Sequence, residues 1–406
     1  MCLVLLATTC VFWASSRSNQ RVQAVTTIPL QAADGTRSAP IDVSKQGTLL
    51  VFPWKIWWLL VWDYQRQQAA FEFPQEDDWV RWEKKASLRG DWQFRFQGDG
   101  SRIIAIQTPW LVLIDAMKQT EIARALPSES YLRKDSPGRP SPDGDVRVCH
   151  LDVDAQNGFV AAAYNVGKDT NLYVYDSDLK RKIASWELPR IVQCLCWSPD
   201  GKKLAVLFNG WFNEDRQRYY GPSWTTPNDP DVWIIDARSG KPLVKFWTGT
   251  AQDQIAFSKD GNLVYVTNES GYFSPPEHLG AIRAFSAVSG ALVRTISAGP
   301  KGVHSAFSLS PDGSLIAADA STYLSQGFLK ELNTSEKISR LVLLDTKTGH
   351  LLFEHHERTE GDVADPLGLA FSPDGQLLFV DFPGSQRQPY QRIEVYSIDD
   401  RNRTKH

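Results

Sequence analysis

Four stretches of this chain repeat one pattern: "AFSPDGQLLFVD" from Ala370, "CWSPDGKKLAVLF" from Cys196, "AFSKDGNLVYVT" from Ala256 and "SLSPDGSLIAAD" from Ser308. In each, apolar alternation runs into Ser, any residue, Asp and Gly, and then resumes. Proline at the second place presets the first corner of a tight turn, Asp bonds its own backbone, and Gly takes the positive φ that closes a hairpin. One copy would set a hydroxyl beside a carboxylate, as a nucleophilic site does. A catalytic serine has no need of four copies, so the pattern belongs to the fold.

A second motif keeps step with the first. Apolar runs end in Asp or Ser at Asp63 ("LLVWD"), Asp115 ("LVLID"), Asp176 ("LYVYD"), Asp236 ("VWIID"), Ser286 ("IRAFS"), Asp345 ("LVLLD") and Ser397 ("IEVYS"). Their spacing is near the blade length of about 40 to 50 residues of propeller repeats, with loop insertions added. Each unit reads as four short strands. In the sixth these are "HSAFSLS", "LIAAD", "RLVLLD" and "LLFEHH", with Asp312-Gly313 and Thr346-Lys347-Thr348-Gly349 as the tight turns. Many short strands with evenly spaced Gly turns predict an all-β chain, and radial repetition is one way such sheets protect their edges. The Asp that ends each third strand is read as a turn staple.

On these motifs the chain resembles the WD-repeat and YVTN-like β-propeller families, in which "FSPDGxxLxV" followed by "VxVxDxxTG" marks a blade. The resemblance spans residues 25–406. It is strong in blades four to seven and degenerate in blades one to three, where Gly98-Asp99-Gly100 and Gln156-Asn157-Gly158 stand in for the first turn. It implies one seven-bladed propeller of four-stranded antiparallel blades. After Ser397 too few residues remain for an outer strand, so the β-branched "VTTIPL", Val25 to Leu30, is expected to close blade seven from the N-terminal side.

The first residues, "MCLVLLATTCVFWASS", hold an apolar run from Cys2 to Ala14, short of the roughly 20 residues that span a bilayer. Residues 1–24 read as a signal peptide cut after Ala24, or as an N-terminal anchor. The first reading places the protein outside the cytoplasm, secreted or periplasmic; the second gives it membrane contact. Without those residues Cys149, Cys194 and Cys196 remain. They read as buried apolar residues, with a bridge from Cys149 to a neighbouring strand as the alternative. Cys194 and Cys196 face the same side of one strand and do not pair with each other.

The net charge of −3 comes without a basic block, which argues against nucleic acid. The motif scan finds no phosphate-binding glycine loop, no Gly-x-Ser-x-Gly elbow and no paired-cysteine zinc spacing. No metal or cofactor is expected. The long connections at 209–231, 267–280 and 319–339 join second to third strands, and they are rich in aromatics. Trp211, Phe212, Tyr219, Tyr220, Trp224, Tyr272, Phe273, Tyr323, Phe382 and Tyr390 are the candidate anchors of a binding surface there. At the channel mouth Gln193, Asp253, His304 and Asp365 are the polar candidates. The expected function is therefore binding of a protein, peptide or glycan by a monomeric propeller through its long-loop face, without catalysis. The alternative is an enzyme similar to propeller lactonases or amine dehydrogenases, acting at the channel mouth.

Overall fold

The structure is a computed structural model. It describes residues 22–29, 41–55, 58–73, 93–107, 110–128, 146–166, 169–208, 230–248, 252–268, 281–297, 306–320, 322–323, 337–359, 368–382 and 392–398. The chain forms seven antiparallel sheets arranged as a seven-bladed propeller, each with strands a to d from the channel outwards. Blade one comprises Asp42–Val43, Leu49–Lys55, Trp58–Asp63 and Gln68–Phe73, and blade two Phe94–Gln97, Arg102–Gln107, Trp110–Asp115 and Thr120–Ala125. Blade three has Val146–Val153, Val160–Val166, Asp169–Tyr175 and Lys182–Leu188; blade four has Val192–Trp197, Lys203–Phe208, Val232–Asp236 and Pro242–Phe246. Blade five follows with Gln252–Phe257, Leu263–Asn268, Ala281–Ser286 and Leu292–Ser297, and blade six with Phe307–Leu309, Leu315–Asp319, Lys337–Asp345 and Leu351–Thr359. Blade seven takes Gly368–Phe371, Leu377–Phe382 and Arg392–Ile398 from the C-terminal side and Val22–Pro29 from the N-terminal side.

Packing explains the composition of the strands. Strands b are covered on both faces by neighbouring blades, so Leu204, Ala205, Val206 and Leu207 are all fully buried and the run is continuously apolar. Strands d are half covered and alternate, as in Lys182–Leu188. The buried residues fall into seven clusters, each built from two adjacent blades. Seven blades in an open arc would have only six seams. The cluster that unites Ile28, Phe379 and Ile393 with Leu50, Phe52 and Leu60 is the seam that closes the ring.

The repeated Ser-x-Asp-Gly is a staple. Ser198 Oγ donates to Asp200 Oδ1 at 2.6 Å and accepts the Lys203 N–H at 2.9 Å, while the Gly201 N–H reaches the Ser198 carbonyl at 2.9 Å. The same bonds recur at Ser258/Asp260, Ser310/Asp312 and Ser372/Asp374. These turns also nest around the channel, since a Cβ on Gly201 would stand 2.7 Å from the Asp154 carboxylate of the preceding blade. The Asp ending strand c staples its own turn as expected: Asp236 Oδ1 accepts Arg238 and Ser239 N–H, and Asp345 Oδ1 accepts Lys347 and Thr348 N–H.

One regularity has no sequence motif. Every outer strand carries a β-bulge just after its turn, and the extra residue is Ala70, Ile122, Ile183, Leu243, Val293, Leu352 or Val25 in blades one to seven. A bulge twists an edge strand away from foreign partners. That Val25 occupies this place shows the N-terminal strand to be built as a true strand d. The strand starts at Val22, ahead of the expected Val25. Val22, Gln23 and Ala24 pair with Ile398, Ser397 and Tyr396, and Val22 is 4% exposed. A chain beginning at Val25 would lack these three residues of the strand.

Two outcomes follow for stability. A chain starting at Val25 melts several degrees below one starting at Val22, measured by circular dichroism; equal midpoints would show that Val22 to Ala24 add nothing. Gly240 has φ +68°, and a Cβ there would stand 2.1 Å from Trp186 Nε1 of the preceding blade. Gly240→Ala therefore destabilises by about 2 kcal/mol in urea titrations, whereas an alanine on the exposed turn residue Arg238 leaves the midpoint unchanged.

Candidate functional site

The propeller has two unlike faces. All a-to-b and c-to-d turns lie on one, and there every connection between described strands is short, as in 198–202 and 237–241. All b-to-c and d-to-a connections lie on the other. In blades one to three the b-to-c links are the two-residue pairs 56–57, 108–109 and 167–168. In blades four to seven they lengthen to the segments between Phe208 and Val232, Asn268 and Ala281, Asp319 and Lys337, and Phe382 and Arg392. The long b-to-c segments thus lie in blades four to seven, while the long d-to-a connections between Phe73 and Phe94 and between Ala125 and Val146 belong to blades one to three. Blade six is also taller there. Thr322 and Tyr323 pair with Ile338 and Lys337 in the register already set by Leu315–Asp319, so strand b continues roughly 13 Å past Asp319.

Of the aromatic candidates, Trp211, Phe212, Tyr219, Tyr220, Trp224, Tyr272, Phe273 and Tyr390 lie outside the described residues. Tyr323 stands on the taller edge of blade six, with its backbone paired to Lys337. Phe382 departs from expectation: it is 2% exposed and packs with Val380 and Tyr396 in the core between blades six and seven. It is the last residue of a strand b, a position covered by blades on both sides, and the Arg392 guanidinium lies 4.5 Å from its ring centre.

The ends of the longest insertion are clamped. The Phe208 N–H donates to the Asp231 carbonyl at 2.9 Å. The buried Asp231 carboxylate accepts the Thr248 N–H at 2.8 Å and the Thr248 hydroxyl, and Arg283 of blade five donates to the Thr248 carbonyl. Burial pushes Asp231 up to about 6 and pulls Arg283 down to about 10, each offset in part by a charge or hydrogen bond nearby. Arg190 donates to the Pro230 carbonyl and covers the Phe208 ring at 4.6 Å; Trp233 meets that ring edge-on, with Lys245 Nζ 3.6 Å from the Trp233 ring centre. This root spans blade four, from Phe208 and Trp233 packed against blade three to Arg283 of blade five, and fixes where the segment 209–229 leaves the scaffold.

In the channel, Gln193 is half-buried at a bulge of strand a in blade four, and Asp253 is on strand a of blade five. His304 and Asp365 lie outside the described residues. The described channel wall is instead dominated by Asp42, Arg95, His150, Asp152, Cys194 and Cys196, and their side chains serve the next blade. A strand a has one edge without a strand partner, and its N–H groups need acceptors. Asp42 accepts the Phe96 N–H at 2.6 Å, Asp152 the Trp197 N–H at 2.8 Å, and Gln254 Oε1 the Phe307 N–H at 3.0 Å. The Cys194 and Cys196 sulfurs accept from Ile255 and Phe257. Counted back from the first residue of the a-to-b turn, a side chain two places back bonds the N–H one place back in the next blade, and one four places back bonds the N–H three back. Arg95 cannot accept, and it meets Asp152 at 3.5 Å instead.

Burial raises Asp42 and Asp152, with Arg95 opposing the shift in both. It pushes the Cys194 thiol up to about 12 and Cys196 well above its ordinary value. Both cysteines are free, and both face the seam between blades four and five. His150 Nε2 lies 3.4 Å from Cys194 Sγ, while its Nδ1 is buried without a partner. Among the described residues no group of three or more His, Cys, Asp or Glu is placed to hold a metal ion. These channel groups were missed in the sequence because blades one to three lack the clear turn motif. Aligning each strand a by its turn would have shown Asp, Arg, Asp and Cys at one position in blades one to four.

No family model and no curated protein matches the sequence. Solved structures do resemble it. The β-propeller domain of Cps50 (Swd1) from Myceliophteria thermophila is 12% identical over 93% of this chain and 99% of that one, with a TM-score of 0.59. A chain of a mitotic checkpoint complex is 16% identical over 98% and 99%, at 0.60, and hydrazine synthase of Kuenenia stuttgartiensis 16% over 73% and 74%, at 0.52. The chain is a seven-bladed β-propeller. At these identities the likeness is one of fold, and a propeller fold does not assign an activity.

Burial and the Arg95 charge pull His150 down to about 3 from an ordinary 6.5. Protonation then favours the unfolded chain, so its contribution is complete above pH 6.5 and is lost as pH falls toward 3. His150→Gln flattens the acid limb of the stability profile by up to about 1.4 kcal/mol per pH unit. An unchanged slope in urea titrations between pH 6.5 and 4 would contradict the burial of a neutral imidazole.

Proposed function

We propose that this protein is an extracytoplasmic interaction scaffold that binds a protein, peptide or glycan partner through its loop face and does no chemistry of its own. The observation that carries this reading is the asymmetry of the faces. One is pared down to stapled turns, while the other carries the long connections, with the long b-to-c segments in blades four to seven and the longest of them on a rooted base. Long loops on a rigid scaffold are where binding residues concentrate. The aromatics of 209–229 and 269–280, with Tyr323 and Tyr390, supply large contact area at low entropic cost. One similar chain comes from a mitotic checkpoint complex, which supports a propeller of this shape working with protein partners.

The enzymatic alternative would use Gln193, Asp253, His304 and Asp365. It has less behind it, because the described channel carboxylates and thiols are engaged with the backbone of the next blade.

The test replaces 209–229 with a short Gly-Ser link between Phe208 and Pro230, leaving the Asp231 clamp in place. Partner capture from an envelope extract falls at least about tenfold while the thermal midpoint stays within a few degrees of the parent. Retention of every partner by a folded deletion variant would remove the loop face from the binding site.

A further inference from the structure

The outer strand of blade six departs from the other six. After its bulge at Leu352, Phe353 to Thr359 pair residue for residue with Leu343 to Lys337, seven pairs in unbroken register. In the other blades only three to five pairs follow the bulge. Among the described residues no strand lies on the outer edge of Phe353–Thr359. The segment reads "FEHHERT", without the Lys or Pro that commonly blunts an exposed edge. A regular row of outward N–H and C=O groups of this length is a template for one more strand.

The order of charges selects that strand. An antiparallel copy of the same segment, related by a two-fold axis through His356, sets Glu354 opposite Arg358 and His355 opposite Glu357, and repeats both pairs beyond the axis. Opposite charges directly across an antiparallel pair stabilise it, and like charges destabilise it. An axis through Glu354 or Glu357 would set a glutamate against itself, and one through His355 would run Arg358 into the bulge residue Leu352. Arg340 Nε and Nη2 both meet Oε1 of Glu354, so Oε2 is left for a cation across the axis. The heights fit as well. His356 pairs with Arg340, whose carbonyl accepts the Ala320 N–H just past Asp319, so 353–355 flank the ring and 357–359 stand above it. An axis at that height inverts the second copy, and the two rings lie on opposite sides of it without competing for space.

We propose that the protein forms a symmetric dimer in which the outer strands of blade six pair antiparallel about His356 and join two blades into one continuous sheet. The contact uses the same segment on both copies, as a two-fold interface requires, and it closes without leaving that edge open to a third copy. The dimer is independent of what the loop face binds.

Sedimentation velocity over a dilution series tests this on the full chain and on its Arg358→Lys, Arg358→Glu and Glu354→Lys variants. The parent and Arg358→Lys sediment as dimers. Arg358→Glu and Glu354→Lys each set like charges across the axis, and each weakens self-association at least about tenfold at an unchanged thermal midpoint. Mixed in equal amounts, these two variants restore opposite charges at both places and recover the parent's association. Amide exchange at 353–359 is slow in the concentrated parent and quickens on dilution. Four results would each overturn the proposal: a parent that is monomeric at every concentration, parent-like association of either charge-reversed variant, no recovery in the mixture, or loss of the dimer when 209–229 is replaced by the Gly-Ser link, which would move the contact to the loop face. Protection of 353–359 by a copurifying protein on a monomeric chain would overturn the assignment to a second copy as well.

Discussion

The pairing of Val22–Pro29 with Arg392–Ile398 is the constraint on which the other parts of the molecule depend. Without it, blade seven would end at strand c with an unpaired edge, and its outer flank would stand open. With it, the ends of the chain are locked into one sheet, and all seven seams are covered. Joining residues so far apart in sequence costs little more than closing a much shorter loop, because closure entropy grows only logarithmically, by about 0.6 kcal/mol per doubling. Burial of Ile28 against Phe379 and Ile393 works against that cost. The bulge at Val25 completes the correspondence with the other outer strands.

A second constraint acts at the axis. In blades two, four, five and six the innermost strand turns N–H groups toward its neighbour, and the previous blade answers with a carboxylate, an amide or a thiol. This hoop accounts for buried ionisable groups that would otherwise look like a site. It also explains why the loop face draws the functional reading: the described channel carboxylates and thiols already have structural partners, while the inserted segments are chain that the ring itself does not need.

The fold was legible in the sequence because its repeats are chemical. Ser-x-Asp-Gly in blades four to seven and the Asp or Ser closing each strand c belong to single turns, so they recur with the blades, and the spacing of the second motif counted all seven. The closing strand was legible from its β-branched composition but not from its first residue, since Val22, Gln23 and Ala24 also suit a cleavage motif. The outer bulges had no signal, because Ile, Leu, Val and Ala are ordinary strand residues. Phe382 was misplaced for a related reason: an aromatic at a strand end looks the same whether a neighbouring blade covers it or solvent does. The channel hoop was hidden by the irregular turns of blades one to three, where Asp42, Arg95 and Asp152 sit.

The long b-to-c segments of blades four to seven and the bare stapled turns opposite them divide the labour of one ring, provided that the ring is closed. Closure is read most directly by native-state hydrogen exchange at the blade-seven edge. If Val22–Pro29 is a permanent outer strand, its paired amides exchange as slowly as those of Ile393 and Val395, with the same dependence on denaturant. Fast exchange of Val22 to Ile28, at the rate of an unpaired terminus beside a protected Arg392–Ile398, would contradict it.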